Sequence, residues 1–125
     1  MHKLIVSLLI LLISIYSSFT SFGQKTRTIA FYNVENLFDT LDTQGKNDGE
    51  YLPQAEKKWN SERYLKKLDH INEVLNLTQK PIIAGFCEIE NKSVVEDIIN
   101  HGPLKGSHVV VHFESMDQRG IDNAI

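Results

Sequence analysis

The residues best suited to chemistry are polar side chains that directly follow apolar segments. Asn33 and Glu35 come at the end of the β-rich segment 26–34, and Glu88 directly follows the apolar run 81–87. Because strand residues alternate between two faces, Asn33 and Glu35 would share a face if the first strand continued that far. A carboxylate next to so apolar a strand is poorly solvated unless it binds something. Glu88 is therefore a candidate ligand-binding group.

A third polar group, residues 115–120, contains Arg119. Its guanidinium could receive a phosphate through two parallel hydrogen bonds. Carboxylate and amide oxygens suit a hard cation such as Mg²⁺, which proteins hold by one or two carboxylates together with phosphate and water. A cation and an arginine together can neutralise charge that develops on a phosphoryl group. The three clusters indicate metal-assisted hydrolysis of a phosphate ester, although each alone is more often a helix cap or a solvated strand end.

The elements that must position these groups alternate between strand and helix. Apolar spacing and capping residues predict helices at 60–78 and 94–100. β-rich runs predict strands at 26–34, 81–87, 107–113 and 120–125. The run 81–87 is nearly all apolar, which is typical of a strand covered on both faces. Lys66 and Lys67 are predicted to lie on the solvated face of the first of these helices. This order favours a layered α/β domain.

Length and composition exclude several classes of protein. The chain has 125 residues, 13 Lys and Arg against 16 Asp and Glu, and a formal net charge of −3. This length suits one domain at most. The acidic balance argues against a protein that holds nucleic acid mainly through bulk positive charge. Cys87 is the sole cysteine, so no internal disulfide can form.

Residues 1–23 are predicted to be a secretory signal peptide. A basic start precedes an uncharged apolar run at 4–16, and Ser21 to Gly23 matches a small-x-small cleavage site. As a helix that run spans only about 20 Å, short of the ~30 Å hydrocarbon core of a membrane. We therefore expect residues 24–125 to be periplasmic or secreted, with no stable membrane anchor after cleavage. The alternative is an N-terminal segment retained as an anchor.

Four segments in order resemble one family. Residues 29–39, 58–68, 86–91 and 112–122 together resemble the endonuclease/exonuclease/phosphatase family, specifically its exported bacterial branch. The resemblance covers about residues 28–125. It implies that residues 24–125 form the N-terminal part of an α/β four-layer sandwich, in which two mixed β-sheets are flanked by helices. The implied activity is Mg²⁺- or Mn²⁺-dependent hydrolysis of phosphodiester or phosphomonoester bonds in a nucleic acid, a nucleotide or a lipid headgroup.

The resemblance also implies roles for individual residues. Asn33 matches the asparagine that helps to position the phosphate and metal network. Glu88 matches the principal metal-binding glutamate of the family, and Glu35 occupies an acidic position near the metal. Arg119 matches a recurrent arginine, to which a phosphate-facing role is assigned. The long loop at 35–59 would lie over or beside the cleft.

The family's later motifs are not found in this sequence. They comprise an Asp/Asn pair and a terminal Asp-His pair that activates water. We therefore expect the chain to be an N-terminal fragment with little or no activity on its own. Two alternatives remain open: an exported, non-catalytic α/β module that binds a cation or a phosphorylated ligand, and an incomplete reading frame without a stable product.

Overall fold

The structure, a computed structural model, describes residues 2–18, 23, 25–116 and 120–125. Its α-helices are α1 (His2–Ser18), α2 (Ser61–Leu77) and α3 (Lys92–His101). Its strands are β1 (Ile29–Leu37), β2 (Ile83–Ile89), β3 (His112–Phe113) and β4 (Asp122–Ala124), and a short 3₁₀ helix covers Gly49–Tyr51. The predicted α/β class is confirmed.

The described strands form one mixed sheet in the order β1-β2-β4-β3. β1 and β2 are parallel, with Ile29 opposite Ile83 and Asn33 opposite Cys87. β4 runs antiparallel to both β2 and β3. Because β1 and β2 run the same way, the polar residues at their carboxyl ends meet at one edge of the sheet.

The core lies between the sheet and the pair of helices α2 and α3. The buried apolar side chains come from β1 and β2 and from one stripe on each helix: Val34, Ala84, Phe86, Leu68, Ile71, Leu75, Val94, Val95, Ile98 and Ile99. Asn60 caps α2 by accepting from the Arg63 N–H (3.0 Å), and Asn91 caps α3 in the same way through the Val94 N–H. Both predicted helices are confirmed, because their apolar spacing and their caps agree.

The other face of the sheet carries exposed apolar side chains. Phe31 is 77% exposed and lies over Gly85, where a Cβ would come within 2.6 Å of the Phe31 ring. Ile83 is 44% exposed, so the prediction that this strand is covered on both faces is wrong for the described residues. The reason is that α2 and α3 both pack on the opposite face. A sheet covered on one face is consistent with part of a two-sheet sandwich.

Two strand predictions differ in extent from the structure. β1 continues to Leu37, and the strand predicted at 107–113 is reduced to His112–Phe113. Ser107 instead ends a turn in which its N–H donates to the Leu104 carbonyl (3.1 Å). Val111 exchanges two backbone hydrogen bonds with Ile125 (2.7 and 2.8 Å), just before β3. β-propensity is a local property, so it could not show that β4 pairs only with the last residues of the run 107–113.

The predicted signal peptide includes α1. The described side chains of α1, residues 2–12, are all exposed. Among the described residues, no helix has the length and apolar character needed to cross a membrane. Ser21 and Phe22, at the predicted cleavage site, lie outside the described residues.

Candidate functional site

The parallel pairing of β1 and β2 brings Asn33 and Glu88 together. The Asn33 Nδ2 donates a hydrogen bond of 2.8 Å to Glu88 Oε1, although the two residues are 55 positions apart in sequence. Glu88 lies inside β2 with a positive φ of 60°, where the pairing with β4 shifts register between Cys87 and Ile89. Such an irregularity redirects a side chain away from the regular alternation of the strand. It allows the half-buried Glu88 carboxylate to reach Asn33.

The end of β1 is irregular in the same way. Glu35 and Asn36 have φ values of 54° and 61°, in the left-handed region that residues other than glycine seldom adopt. The Glu35 N–H donates to Asn33 Oδ1 at 2.8 Å. The regular alternation of β1 is therefore interrupted at Glu35, although the side chains of Asn33 and Glu35 are both exposed, with the buried Val34 between them. The backbone turns at Glu35 and fixes the Asn33 amide with its oxygen toward the turn and its nitrogen toward Glu88.

Lys67 approaches this turn from α2. Its Nζ donates to the carbonyl oxygen of Glu35 at 2.6 Å and lies 3.3 Å from that of Asn36. Burial lowers the pKa of Lys67, and the nearby charges of Glu35 and Glu88 act in the opposite direction. The prediction of a solvated face is wrong for Lys67, which is half-buried. A signal was present in the sequence, because position 67 lies three residues after the buried Tyr64 and four before the buried Ile71.

A cleft of about 510 Å³ lies between β1 and α2. Asn33 and Glu35 line the strand side, and α2 contributes four basic or titratable side chains: Arg63, Lys66, Lys67 and His70. Trp59, at the end of the predicted loop 35–59, forms part of the wall, and its indole N–H donates to the Phe38 carbonyl at 2.9 Å. The cleft thus presents positive charge beside the Asn33–Glu88 pair.

A second carboxylate, Glu90, follows β2 and is only 5% exposed. Its Oε2 accepts from the Asp39 N–H at 2.6 Å, and its Oε1 accepts from the Thr43 hydroxyl at 2.9 Å. Burial raises the pKa of Glu90 to about 7; these two hydrogen bonds oppose the rise, and the charges of Asp39 and Asp48 add to it. Glu90 therefore fastens the loop after β1 to the end of β2, a structural role that the sequence pattern did not reveal.

The donor groups can be tested against the needs of a divalent cation. In the part of the chain that the structure describes, no group of three or more His, Cys, Asp or Glu is arranged to hold a metal ion. Mg²⁺ takes as few as one or two protein carboxylates and completes its shell with water and phosphate. Glu88 and Glu35 offer two carboxylates at the adjoining ends of β2 and β1, so the residue types fit that requirement. The Asn33 amide is already engaged on both sides and orients Glu88.

Not every predicted residue can be placed in this site. Asn33 and Glu88 are in contact, and the backbone N–H of Glu35 is bonded to Asn33. Arg119 lies outside the described residues, together with positions 117 and 118. The sequence reasoning gave no individual role in this region to Lys67 or Glu90.

The fold and the site define a class: an α/β domain with a carboxylate–amide cluster at the shared carboxyl end of parallel strands. A family profile described as Endonuclease/Exonuclease/phosphatase family matches residues 28–125. The chain belongs to this family, which confirms the family resemblance seen in its sequence, while its assignment to the exported bacterial branch stays a prediction. It is thereby placed among nuclease- and phosphatase-type hydrolases, which act on phosphoesters and generally use divalent metals. Searches of curated proteins and of solved structures gave no match.

Proposed function

We propose that this chain forms part of a metal-dependent phosphoesterase that hydrolyses phosphodiester or phosphomonoester bonds. Glu88, with Glu35, would hold Mg²⁺ or Mn²⁺. Asn33 would help to position the metal and the phosphate. The observation that carries the proposal is the 2.8 Å hydrogen bond from Asn33 to Glu88, which unites two predicted site residues from separate strands. The family match over residues 28–125 supports the same reaction class.

The described residues prepare the site in definite ways. A divalent cation bound here would stabilise negative charge on the phosphoryl oxygens. Asn33 donates a hydrogen bond to Oε1 of Glu88, so Oε2 is the carboxylate oxygen that this bond does not restrain. The ammonium group of Lys67 bonds to the backbone at Glu35, so a positive charge lies beside the two proposed metal-binding carboxylates.

Two parts of the proposal concern residues outside this cluster. Arg119 is proposed to face the phosphate as an electrostatic helper. The group that activates water is proposed to belong to the family's later motifs, so the 125-residue chain alone would show little or no turnover. The substrate is proposed to be a phosphate ester of a nucleic acid, a nucleotide or a lipid headgroup.

Export is proposed as well. The basic start and the uncharged run at 4–16 support removal of residues 1–23 as a signal peptide, with delivery to the periplasm or the medium. Mass spectrometry of the N-terminus after expression in a bacterial host tests this directly. A product that begins at Gln24 supports export, and a product that retains α1 contradicts it.

The central test is Mn²⁺ binding to the full chain, measured by calorimetry. Glu88→Gln removes the charge while it preserves the shape, and we expect the affinity to fall by a factor of 10 or more, about 1.4 kcal/mol or above. Asp69→Asn, an exposed acidic position on α2, is the matched control and should bind like the unchanged chain. Equal affinity in all three proteins would contradict the proposed metal role.

An assay with bis-p-nitrophenyl phosphate separates the proposed enzyme fragment from two other possibilities. Metal binding with only background turnover agrees with the proposal. Turnover abolished by Glu88→Gln would show that the chain is catalytically self-sufficient, contrary to our expectation. Saturable binding of a phosphorylated ligand, retained when Glu88 is replaced, would favour the non-catalytic module.

A further inference from the structure

One side chain of α2 holds the left-handed turn at the end of β1. The Lys67 Nζ lies 2.6 Å from the carbonyl oxygen of Glu35 and 3.3 Å from that of Asn36, the two residues with positive φ. Residues other than glycine in this region cost free energy and persist only where their surroundings hold them. A half-buried ammonium that bonds both carbonyls is such a restraint.

The turn is connected to the site by two further hydrogen bonds. The Glu35 N–H donates to Asn33 Oδ1, and Asn33 Nδ2 donates to Glu88 Oε1, both at 2.8 Å. The amide plane of Asn33 therefore depends on where the backbone N–H of Glu35 points. That N–H belongs to the peptide unit just before the one whose carbonyl accepts from Lys67, and the two units are related through the left-handed backbone angles of Glu35.

We propose that Lys67 is a positioning residue of the site: it holds the Glu35–Asn36 turn, the turn fixes the Asn33 amide, and the amide aims the Glu88 carboxylate. The inference deepens the proposed function, on which it rests for the role of Glu88 as a metal ligand. Lys67 acts through other groups and is assigned no contact with substrate.

The chemistry of lysine suits this position. An ammonium is a compact group with three donors, so it can serve two neighbouring carbonyl oxygens at once. The Nζ also lies 5.7 Å from the centre of the Trp59 ring, which limits the positions that the side chain can take. Lys105 is exposed and does not line the cleft, so it provides a matched control.

The test follows the side-chain amide resonance of Asn33 by NMR in the full chain without metal, and Mn²⁺ affinity by calorimetry. Lys67→Met keeps the length of the side chain and removes its donors. We expect K67M to move the Asn33 amide resonance toward that of a solvent-exposed asparagine and to weaken Mn²⁺ binding about 10-fold, as for other groups that support metal ligands. K105M should change neither quantity.

Three results decide whether Lys67 is a positioning residue. An Asn33 resonance that K67M leaves in place overturns the positioning role, whatever happens to the melting temperature. If K67M does not fold, K67R decides, because the larger, planar guanidinium cannot occupy the position of the Lys67 Nζ and should displace the resonance. A displaced resonance supports the positioning role even if the unchanged chain binds no Mn²⁺, a result that would overturn only the proposed function.

Discussion

The oxygen and the nitrogen of the Asn33 side-chain amide have different hydrogen-bond partners. Its oxygen accepts from the backbone at Glu35, and its nitrogen donates to the carboxylate of Glu88. Reversing the amide would place a donor against an N–H and an acceptor against a carboxylate, so the chemistry of the partners fixes a single orientation. An aspartate here could not supply the donor, which explains why an amide suits this position.

Removal of this amide has a measurable consequence. Asn33→Ala deletes both hydrogen bonds, one of them to a charged group, and we expect the free energy of unfolding to fall by about 1–2 kcal/mol. Urea unfolding of the metal-free chain measures the change. Asn76→Ala, at an exposed position near the end of α2, should leave stability within about 0.5 kcal/mol of the original. A loss no larger for Asn33 than for Asn76 would show that the two bonds do not stabilise the fold.

The pairing of α2 with α3 depends on a polar contact as well as on the apolar stripe. The Tyr64 hydroxyl donates to Asp97 Oδ2 at 2.7 Å across the two helices. Burial, followed by the hydrogen bond and the charge of Asp97, raises the pKa of Tyr64 above its usual range. The pair is therefore a neutral donor on a charged acceptor, the stronger kind of hydrogen bond.

Tyr64→Phe tests this link between the helices. The change keeps the ring and leaves an Asp97 oxygen without its donor, so we expect a loss of about 1.5–3 kcal/mol in unfolding free energy. Tyr32→Phe is the control, since the Tyr32 hydroxyl makes no hydrogen bond to the described part of the chain. Thermal denaturation of the two variants side by side provides the comparison. Equal melting temperatures would mean that the apolar stripe alone holds the helices together.

The loop after β1 is joined to β2 through Glu90, and this contact should respond to pH. The folded-state pKa of about 7 lies above the ordinary value of 4.5, so the folded chain binds a proton more tightly than the unfolded chain between these values. Stability from this group is therefore fully present below about pH 4.5 and is lost as pH rises through 7. The loss is at most on the order of 3 kcal/mol.

Glu90→Gln isolates that effect. Urea unfolding between pH 5 and pH 8 in EDTA should show a smaller decline in stability with rising pH for E90Q than for the unchanged chain. Glu73→Gln, an exposed glutamate on α2, should retain the original decline. If E90Q and the unchanged chain showed the same pH dependence, a group other than Glu90 would be responsible for the decline in stability.

At the scale of the whole molecule, the sheet has two unequal faces. One face packs against α2 and α3, whereas Ile29, Phe31 and Ile83 are exposed on the other. Contiguous exposed apolar side chains of this kind mark a surface available for contacts. The family's second sheet is the expected cover for this face, in keeping with the sandwich that the resemblance implies.

Phe31→Ser tests whether this face is open in the chain itself. Because the ring is 77% exposed, its removal should lower the binding of the dye ANS and change unfolding free energy by no more than about 1 kcal/mol. Leu77→Ser, at an exposed position at the end of α2, controls for the loss of an isolated apolar side chain and should have a smaller effect on the dye. A loss of several kcal/mol for F31S would show that the face is packed in solution.

The sequence by itself determined the two helices of the core, α2 and α3, and two of the site residues. Apolar spacings of three and four residues predict α2, since side chains that far apart share one face of a helix. The sequence also offered Asn60 or Ser61 as the cap of α2 and Asn91 or Ser93 as that of α3, and the structure has the asparagine in both. The boundaries between apolar and polar residues singled out Asn33 and Glu88, which the structure brings together. The four motifs in order predicted the family that the profile match shows.

Only the tertiary structure decided how these groups act on one another. The bond from Lys67 to the Glu35 carbonyl spans 32 positions, and that from Asn33 to Glu88 spans 55, distances over which no local pattern carries information. The left-handed turn at Glu35 and Asn36 replaced the regular alternation that the sequence predicted, because contacts from α2 and β2 stabilise a backbone that these residues do not prefer alone. The burial of Glu90 arises in the same way, from a loop that folds back onto the end of β2.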